Sequence, residues 1–278
     1  PPVVPVADTQ QQDCLTQFGV TFGGNPNLKP EESFQVSTGI VWEPVPGASV
    51  SLDYFKLNLS NTVSNGAPIS TILGDLNQYG SLVTRGPVDP NQPNLPGHIQ
   101  TIQQTFVNLG NTHMEGIDID LRYRTPVYPL GRLRFGVSGT YFIRYDSQQL
   151  DGSYAGGISN AYGAVATGII PRYKQYATVG WDRGPWAATV ANTFQTSYTD
   201  YQTDFDGNTR RVSSMSLWDL QGQFTGFKNW TLTLGVKNVF DTNPPASNQQ
   251  NTFQLGFDPS YYDPRARFVY GSVSYSFK

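Results

Sequence analysis

The sequence predicts an all-β fold: an antiparallel up-and-down transmembrane β-barrel, with about nine strands in this chain. Three observations lead to this prediction. Apolar residues recur at every second position of many segments, short and long connections alternate, and only 14% of the 278 residues are charged. A soluble domain of this size would carry about 25% charged residues. Hydroxyl and amide side chains replace the missing charges, which suits strands with one apolar and one polar face.

Alternation is clearest in the last predicted strand, Phe268 to Phe277. Val269 and Val273 fall on one face and Ser272 and Ser274 on the other, because side chains alternate along a strand. Some further segments alternate clearly and others more weakly. The clear ones are 34–42, 114–124, 131–145 and 230–237, and the weaker ones are 48–59, 174–182, 186–198 and 211–225.

Connection lengths follow the pattern of a membrane barrel, which has short periplasmic turns and long outer loops. The short connections are 43–47, 125–131, 182–185 and 226–229, and the long ones are 60–101, 146–173, 199–210 and 240–267. Residues 102–112 are expected to continue into 114–124 as one long strand. A turn at Gly110 and Asn111 is the alternative, but it would add a strand and place the C-terminus on the outer side.

Aromatic residues at predicted strand ends indicate the girdle that membrane barrels carry at the level of the lipid headgroups. They are Trp42, Tyr123, Tyr145, Trp181, Trp186, Trp218 and Trp230. No segment reaches the ~18 consecutive apolar residues of a spanning helix. The first residues, PPVVPVADTQQQ, lack the charged and apolar regions of a signal peptide. Cys14 is the single cysteine, which excludes a disulfide within this sequence, and we assign it no role.

The chemistry of the side chains argues against an enzyme, a metal site, a cofactor or a nucleic-acid partner. The net charge is −3, and lysines and arginines form no run. His98 and His113 have no serine, cysteine or second metal ligand at a suitable spacing. We therefore expect His98 in a solvated loop and His113 lining the lumen. Asp118 and Asp120 share one strand face, where polar lining explains them better than acid–base catalysis.

Four longer motifs lie at 24–33, 108–124, 230–245 and 262–278. Together they resemble segments of the TonB-dependent receptors of outer membranes. GNPNLKPEES at 24–33, followed by QVSTGIVWEP, is similar to an outer loop and strand midway through the barrel of that family. NLGNTHMEGIDIDLRYR at 108–124 resembles a later strand, and WTLTLGVKNVFDTNPP at 230–245 resembles the penultimate one. YDPRARFVYGSVSYSFK at 262–278 resembles the closing strand, although Lys278 follows the aromatic residue on which such barrels commonly end. The motifs occur along this sequence in the same order as in that family.

This resemblance implies that residues 1–278 are the C-terminal part of a receptor barrel of about 22 strands. The family's plug domain, TonB-contacting box and signal peptide would all precede residue 1. We therefore expect two unpaired sheet edges, or completion by strands outside this sequence. The implied function is TonB-coupled uptake of a scarce nutrient across the outer membrane of a Gram-negative bacterium. The nutrient would be a siderophore, a glycan or a cobalamin, and the partners would be the TonB complex, the protein's own plug and outer-membrane lipid.

A sharper hypothesis concerns arginines near the periplasmic end. If 114–124 and 131–145 form a hairpin, then Arg122, Arg124, Arg132 and Arg134 converge on the inward face. Like charges across a strand pair repel each other. We therefore expect them to contact acidic residues of the plug, with satisfaction by Asp118, Asp120 and water as an equally open alternative.

Substrate contacts are expected from the outer loops, by analogy with the family. Loop 240–267 is rich in amides and aromatic rings, and its candidate residues are Asn248, Gln250, Phe257, Tyr261 and Tyr262. Two alternatives to an energy-coupled receptor stay open: a passive porin, and a soluble all-β carbohydrate-binding domain. In the soluble case, the apolar strand faces would pack into a core.

Overall fold

The structure is a computed structural model that describes residues 18–108, 110–149, 152–160, 169–204, 206–249 and 256–277. Its contacts divide the chain into two compact units. The smaller unit takes residues from 1–33, 59–111 and 148–153, and the larger unit takes 34–58, 112–147 and 154–278. None of the helices among the described residues is long and apolar enough to span a membrane.

The main sheet, here called the wall, is built from nine long strands of the described chain, numbered in chain order. They are Glu32–Trp42, Ala48–Ser60, Thr112–Arg124, Arg132–Gln148, Tyr173–Arg183, Trp186–Gln195, Met215–Phe224, Trp230–Lys237 and Phe268–Tyr275. Each wall strand pairs with its neighbour in the chain, and the short strand Tyr154–Gly156 pairs with the fourth. The order begins at the first and ends at the ninth wall strand without closing, so the all-β antiparallel prediction is confirmed.

Register makes one face of the wall apolar over many strands. One row runs through directly opposed residues from the third to the ninth wall strand: Tyr123, Phe135, Val179, Val190, Leu220, Val236 and Val269. The neighbouring row on the other face reads Arg124, Arg134, Gly180, Thr189, Gln221, Gly235 and Tyr270. We call these two sides the apolar face and the polar face. On the apolar face, Leu234 and Val273 are each 64% exposed, so no described part of the chain covers them.

Short connections join alternate wall strands and define the short-turn edge of the wall. They occupy 43–47, 125–131, 184–185 and 225–229, close to the predicted turns. Gly47 and Gly131 have φ angles of +85° and +107°, which residues with a Cβ rarely adopt. A Cβ at Gly131 would also lie 2.5 Å from the carbonyl oxygen of Asp182. Glycine is therefore required there to bring the turn against the fifth wall strand.

Aromatic rings cluster at the short-turn edge on the apolar face. Trp186 packs on Phe224 with 4.4 Å between ring centroids, and Trp230 packs on Tyr275 at 4.9 Å. Trp181 donates from Nε1 to the carbonyl oxygen of Leu130 at 2.7 Å. Apolar rings with a polar atom at one end favour a water–lipid boundary, as an aromatic girdle requires.

The long connections of the larger unit lie at the opposite, long-loop edge and contain their own secondary structure. The strands Tyr198–Thr203 and Thr209–Val212 form a hairpin, and Ala246–Ser247 pairs with Gly256–Phe257. The predicted alternation of short and long connections is therefore confirmed.

The smaller unit is a loop domain with its own core. Ile99–Thr105 pairs in parallel with Gly19–Gly23 and antiparallel with Val83–Arg85. Val63–Ser64 pairs with Val107–Asn108. Short helices at Ile69–Gly74 and Leu76–Tyr79 and a 3-10 turn at Gly80–Leu82 complete it. Its buried side chains are Ala67, Ile72, Ile99 and Ile102.

The smaller unit overturns the prediction that 102–112 continues into 114–124. The strand that contains Ile102 ends at Thr105, and the third wall strand begins only at Thr112. Gly110 has a φ angle of +123°, which no regular strand residue adopts. The physical reason is burial, because Ile99 and Ile102 are 7% and 0% exposed in the core of the smaller unit. The free energy gained by burying these side chains exceeds that of extending the wall strand.

Replacing Gly131 by alanine should destabilise the protein by about 2 kcal/mol, since it combines a positive φ with a backbone clash. The matched control is Gly222→Ala, because a Cβ at Gly222 meets nothing within 4 Å and its φ is not in the positive region. The measurement is urea unfolding of the detergent-refolded full-length protein, followed by gel mobility without heating. Equal midpoints for the two variants would contradict the role given to this turn.

Candidate functional site

The predicted arginines meet on the polar face near the short-turn edge. Arg124 lies directly opposite Arg134 in the register of the third and fourth wall strands. With Arg122 and the turn 43–49, they line a groove of about 910 Å³. Arg132 is not among the groove residues; it lies opposite Asp182, and its Nε is buried without a hydrogen-bond partner in the described chain. Three of the four predicted arginines therefore share one groove.

Carboxylates already satisfy part of this charge. Arg122 Nε lies 2.7 Å from Asp120 Oδ1, and Arg134 Nε lies 3.2 Å from Asp182 Oδ1. Both arginines stay largely exposed, so each ion pair contributes about 0–1 kcal/mol. Among the described residues, Arg124 forms no ion pair. Asp120 is one of the partners predicted from the sequence, whereas Asp182 is not, because its distance from Arg134 depends on a strand register that the sequence does not reveal.

A second polar region lies further from the short-turn edge. Asp53, Asp118, Asp120, Thr140 and Lys174 line a cleft of about 400 Å³. Asp53 Oδ2 accepts from Ser51 Oγ at 2.6 Å, and Asp118 accepts from Thr140. No group of three or more histidine, cysteine, aspartate or glutamate residues in the described chain could hold a metal ion. Asp53 and Asp118 therefore act as hydrogen-bond acceptors on the polar face.

His113 occupies a different face from the one expected. A bulge between Glu115 and Gly116 interrupts the pairing of the third and fourth wall strands, and the alternation places His113 on the side of Ile117. There His113 Nδ1 lies 2.8 Å from Asp146 Oδ1. The expectation that His113 lines the polar face is therefore wrong. His98 lies in the smaller unit, at the end of a loop before Ile99.

Three of the loop residues predicted to contact substrate, Phe257, Tyr261 and Tyr262, form part of a buried cluster at the long-loop edge. Its core is Ile169, Tyr198, Val212, Met215 and Tyr262, with Tyr201, Leu217, Phe257 and Tyr261 packed against it. Tyr262 is 4% exposed, and the Tyr261 hydroxyl accepts from the backbone N–H of Ile169 at 2.8 Å. Gln250 lies outside the described residues, as does Cys14.

Two buried carboxylates tie this cluster together. Asp200 is fully buried and accepts from Ser247 Oγ at 2.7 Å and from the backbone N–H of Asn248 at 2.6 Å. Asp258 is 1% exposed and accepts from the Tyr198 hydroxyl at 3.3 Å. Hydrogen bonds to a buried carboxylate compensate part of its desolvation. Asp200 therefore joins the hairpin to the loop that contains Asn248.

Side chains of the sequence motifs form hydrogen bonds with loop backbone at the ends of strands. In the smaller unit, Asn108 Nδ2 donates to the carbonyl oxygens of Lys29 and Asn61, and its Oδ1 accepts from Lys29 N–H. In the larger unit, Asn238 has a φ angle of +51°, and its side chain exchanges two hydrogen bonds with the backbone of Thr242. Asp241 accepts from the backbone N–H of Arg267 at 2.7 Å. These motifs fix where loops leave and rejoin strands.

The match to a family of known proteins decides what this arrangement represents. The sequence model described as TonB dependent receptor-like, beta-barrel matches residues 6–239, well over half of the chain. The chain belongs to the TonB-dependent receptor family. The receptor's motifs at 24–33 and 108–124 lie within the matched range. No match was found among curated proteins.

Solved structures share the fold of this receptor barrel. A mutant of the ferric enterobactin receptor PfeA from Pseudomonas aeruginosa is 19% identical, with a TM-score of 0.62, covering 92% of this chain and 32% of its own. The siderophore receptor PirA from Acinetobacter baumannii is 17% identical, with a TM-score of 0.62 and coverages of 92% and 33%. The FrpB iron transporter from Neisseria meningitidis is 14% identical, with a TM-score of 0.57 and coverages of 92% and 33%. The chain spans about a third of the length of these structures.

Removing the Asp200 carboxylate should loosen the loop cluster while leaving the wall intact. Asp200→Ala deletes acceptors for Ser247 and Asn248 and should destabilise the cluster by about 2–4 kcal/mol. Limited proteolysis of the folded full-length protein should then cut the loops much faster. Asp206→Ala is the control, because Asp206 is exposed at the tip of the same hairpin. Equal cutting of both variants would contradict the role given to the Asp200 carboxylate.

Alkaline pH should open the same cluster. Burial raises the pKa of Tyr198 and of Tyr201 well above the usual value. A pKa raised in the folded state means that the stabilisation is complete below the unfolded pKa of about 10 and is lost as pH rises above it. The difference in tyrosinate absorbance between wild type and Tyr198→Phe should therefore emerge only well above pH 10. A difference that titrates near pH 10 would contradict this burial.

Proposed function

We propose that this chain is the C-terminal part of the barrel of a TonB-coupled outer-membrane receptor that imports a scarce nutrient. The observation that carries the proposal is the apolar row across the third to ninth wall strands, in which every residue except Val236 is exposed, backed by a polar face. Such a sheet is unfavourable in water but suits a wall between hydrocarbon and a wet lumen. Membership of the receptor family supports a Gram-negative outer membrane as its location.

Coupled import is favoured over a passive porin by the groove of Arg122, Arg124 and Arg134. It lies on the polar face near the short-turn edge, and Arg124 has no carboxylate partner in the described chain. We propose that these arginines, with Arg132, contact acidic residues of the protein's own plug domain. The TonB complex would act through the N-terminal region that precedes this part of a receptor.

The soluble carbohydrate-binding alternative is disfavoured by the exposure of the apolar face. In a soluble sandwich, the side chains of that face would pack against a second sheet. Here Leu234, Val269 and Val273 are each more than 60% exposed. Family and structural relatives are transport receptors rather than enzymes, which supports a role without catalysis.

A ferric siderophore is the substrate class to test first. The similar structures are titled as a ferric enterobactin receptor, a siderophore receptor and an iron transporter. Glycans and cobalamin are the other classes. The other loop candidates would shape the loop cluster, and their exposed neighbours would contact the substrate; these candidates are Asn248, Phe257, Tyr261 and Tyr262. Gln250 stays a candidate for direct contact.

The proposed function is tested by uptake in cells that lack their own siderophore receptors. Cells that express the full-length protein should accumulate radiolabelled ferric siderophore only when TonB is functional, and a protonophore should abolish the accumulation. Accumulation that persists without TonB would identify a passive pore instead. Accumulation of a labelled glycan or cobalamin, but of no siderophore, would keep the transport proposal and change its substrate.

Neutralising the groove should weaken plug retention. The double variant R124Q/R134Q is expected to lower uptake about tenfold or more, because a hydrogen bond to a charged group is worth about 1.5–3 kcal/mol. The variant that also changes Arg122 and Arg132 should lower uptake further and increase antibiotic permeability. The control R183Q/K228Q removes the same charge at the same edge but outside the groove. Unchanged uptake and permeability in all variants would exclude the plug contact.

A further inference from the structure

A cleft at the long-loop edge opens on the apolar-face side of the wall. Its volume is about 470 Å³. The lining is Ser159, Arg172, Phe194, Ser197 and Arg211, together with further hydroxyl residues of the hairpin. Phe194 identifies the side: it lies opposite Gln175 and Ser216, and it is four residues from Val190 on the sixth wall strand, so the alternation places both side chains on the same face. The cleft therefore sits where the apolar face ends and the loops begin.

Arg172 is held at this boundary by its neighbours. Its guanidinium carbon lies 6.0 Å from the ring centroid of Tyr141, which belongs to the apolar-face series of the fourth wall strand. Its Nη1 donates to the carbonyl oxygen of Phe142 at 3.4 Å, and its backbone N–H donates to Ser159 Oγ. An arginine over an aromatic ring keeps its charge in a fixed place.

Arg211 faces the same cleft from the hairpin. In that hairpin Val212 is buried in the tyrosine cluster, whereas Arg211 lies opposite Thr199 on the other side. Its Nε and Nη2 both donate to Ser197 Oγ, at 2.9 and 2.6 Å. A guanidinium has five N–H donors, so both arginines keep donors for an additional acceptor.

Neither arginine of the cleft has a carboxylate partner. Among the described residues, no ion pair includes Arg172 or Arg211. On the second to fourth wall strands, by contrast, two cations have carboxylate partners. Lys56 pairs with Glu115 at 3.0 Å, and Arg144 pairs with Asp146. The cleft thus concentrates two uncompensated cations among hydroxyl groups, directly beyond a hydrocarbon-facing surface.

We propose that Arg172 and Arg211 bind the phosphate of an outer-leaflet lipid headgroup. Guanidinium groups match phosphate in charge and in donor geometry, and hydroxyls supply the remaining hydrogen bonds. The lipid chains would continue along the apolar face below Tyr141 and Phe194. This inference rests on the proposed function only for the location of the wall in the outer membrane, and it requires no transport. It names a lipid that is fixed at the barrel rim rather than a transported substrate.

The test is native mass spectrometry of the full-length protein, extracted from outer membranes in mild detergent. The wild type should retain lipid A, and R172Q/R211Q should retain about tenfold less, the loss expected for charge-assisted bonds. The control R210Q/R265Q removes equal charge from the same edge but outside the cleft and should retain lipid normally. R172K/R211K, which keeps the charges, should retain an intermediate amount. Gel mobility without heating confirms that each variant is folded.

Titration of delipidated protein distinguishes the sources of phosphate. Lipid A should raise the thermal midpoint, while dephosphorylated lipid A and inorganic phosphate should not. An equal rise with dephosphorylated lipid would overturn phosphate recognition, and an equal rise with inorganic phosphate would overturn the lipid source. Equal lipid retention by wild type and R172Q/R211Q would overturn the site. Because retention is measured without substrate, a failure of siderophore uptake leaves this result standing, and a failure of retention leaves the uptake result standing.

Discussion

The constraint on which this structure depends is that hydrocarbon offers no hydrogen-bond partner to a backbone. Every N–H and C=O of a membrane segment must therefore pair within the protein, and strands do this only with neighbouring strands. Once the ladders are formed, the period of two makes each strand present one side to lipid. Register then aligns these sides, as in the row that joins Tyr123 to Val269 across seven strands. The same register places Arg124, Arg134 and Gln221 together on the wet side.

The two edges of the wall differ in how their connections are built. At the short-turn edge, Gly47 and Gly131 adopt positive φ angles that let tight turns lie against neighbouring strands, and Trp186 and Trp230 stack on rings of the next strand. At the long-loop edge, the chain builds folded loops with a tyrosine core around Asp200 and Asp258. The short-turn edge is thus built from tight turns and packed rings, whereas the long-loop edge is built from folded loops with a buried core.

Sequence predicted the wall well because alternation along a strand is local. The ninth strand, Phe268–Tyr275, differs from the predicted one by only two residues at its end. The prediction for 102–112 was wrong, because the apolar residues Ile99 and Ile102 fit a wall strand as well as a buried core. Only the folded smaller unit shows that they belong to a core. Pairs made across strands were also hidden: Asp182 reaches Arg134 through a register that no motif encodes. Tyr262 shows the same limit, because a loop tyrosine that could bind a ligand is buried at 4% exposure.

Spin labels along the ninth strand would show whether alternate side chains of the wall face hydrocarbon. Single cysteines at positions 269 to 275, introduced after Cys14→Ser, would be labelled in the full-length protein in lipid bilayers. Accessibility to oxygen, which partitions into lipid, should be high at Val269, Val273 and Tyr275 and low at Ser272 and Ser274. A water-soluble nickel chelate should give the opposite pattern. Oxygen accessibility without a period of two, or highest at the serines, would contradict the account.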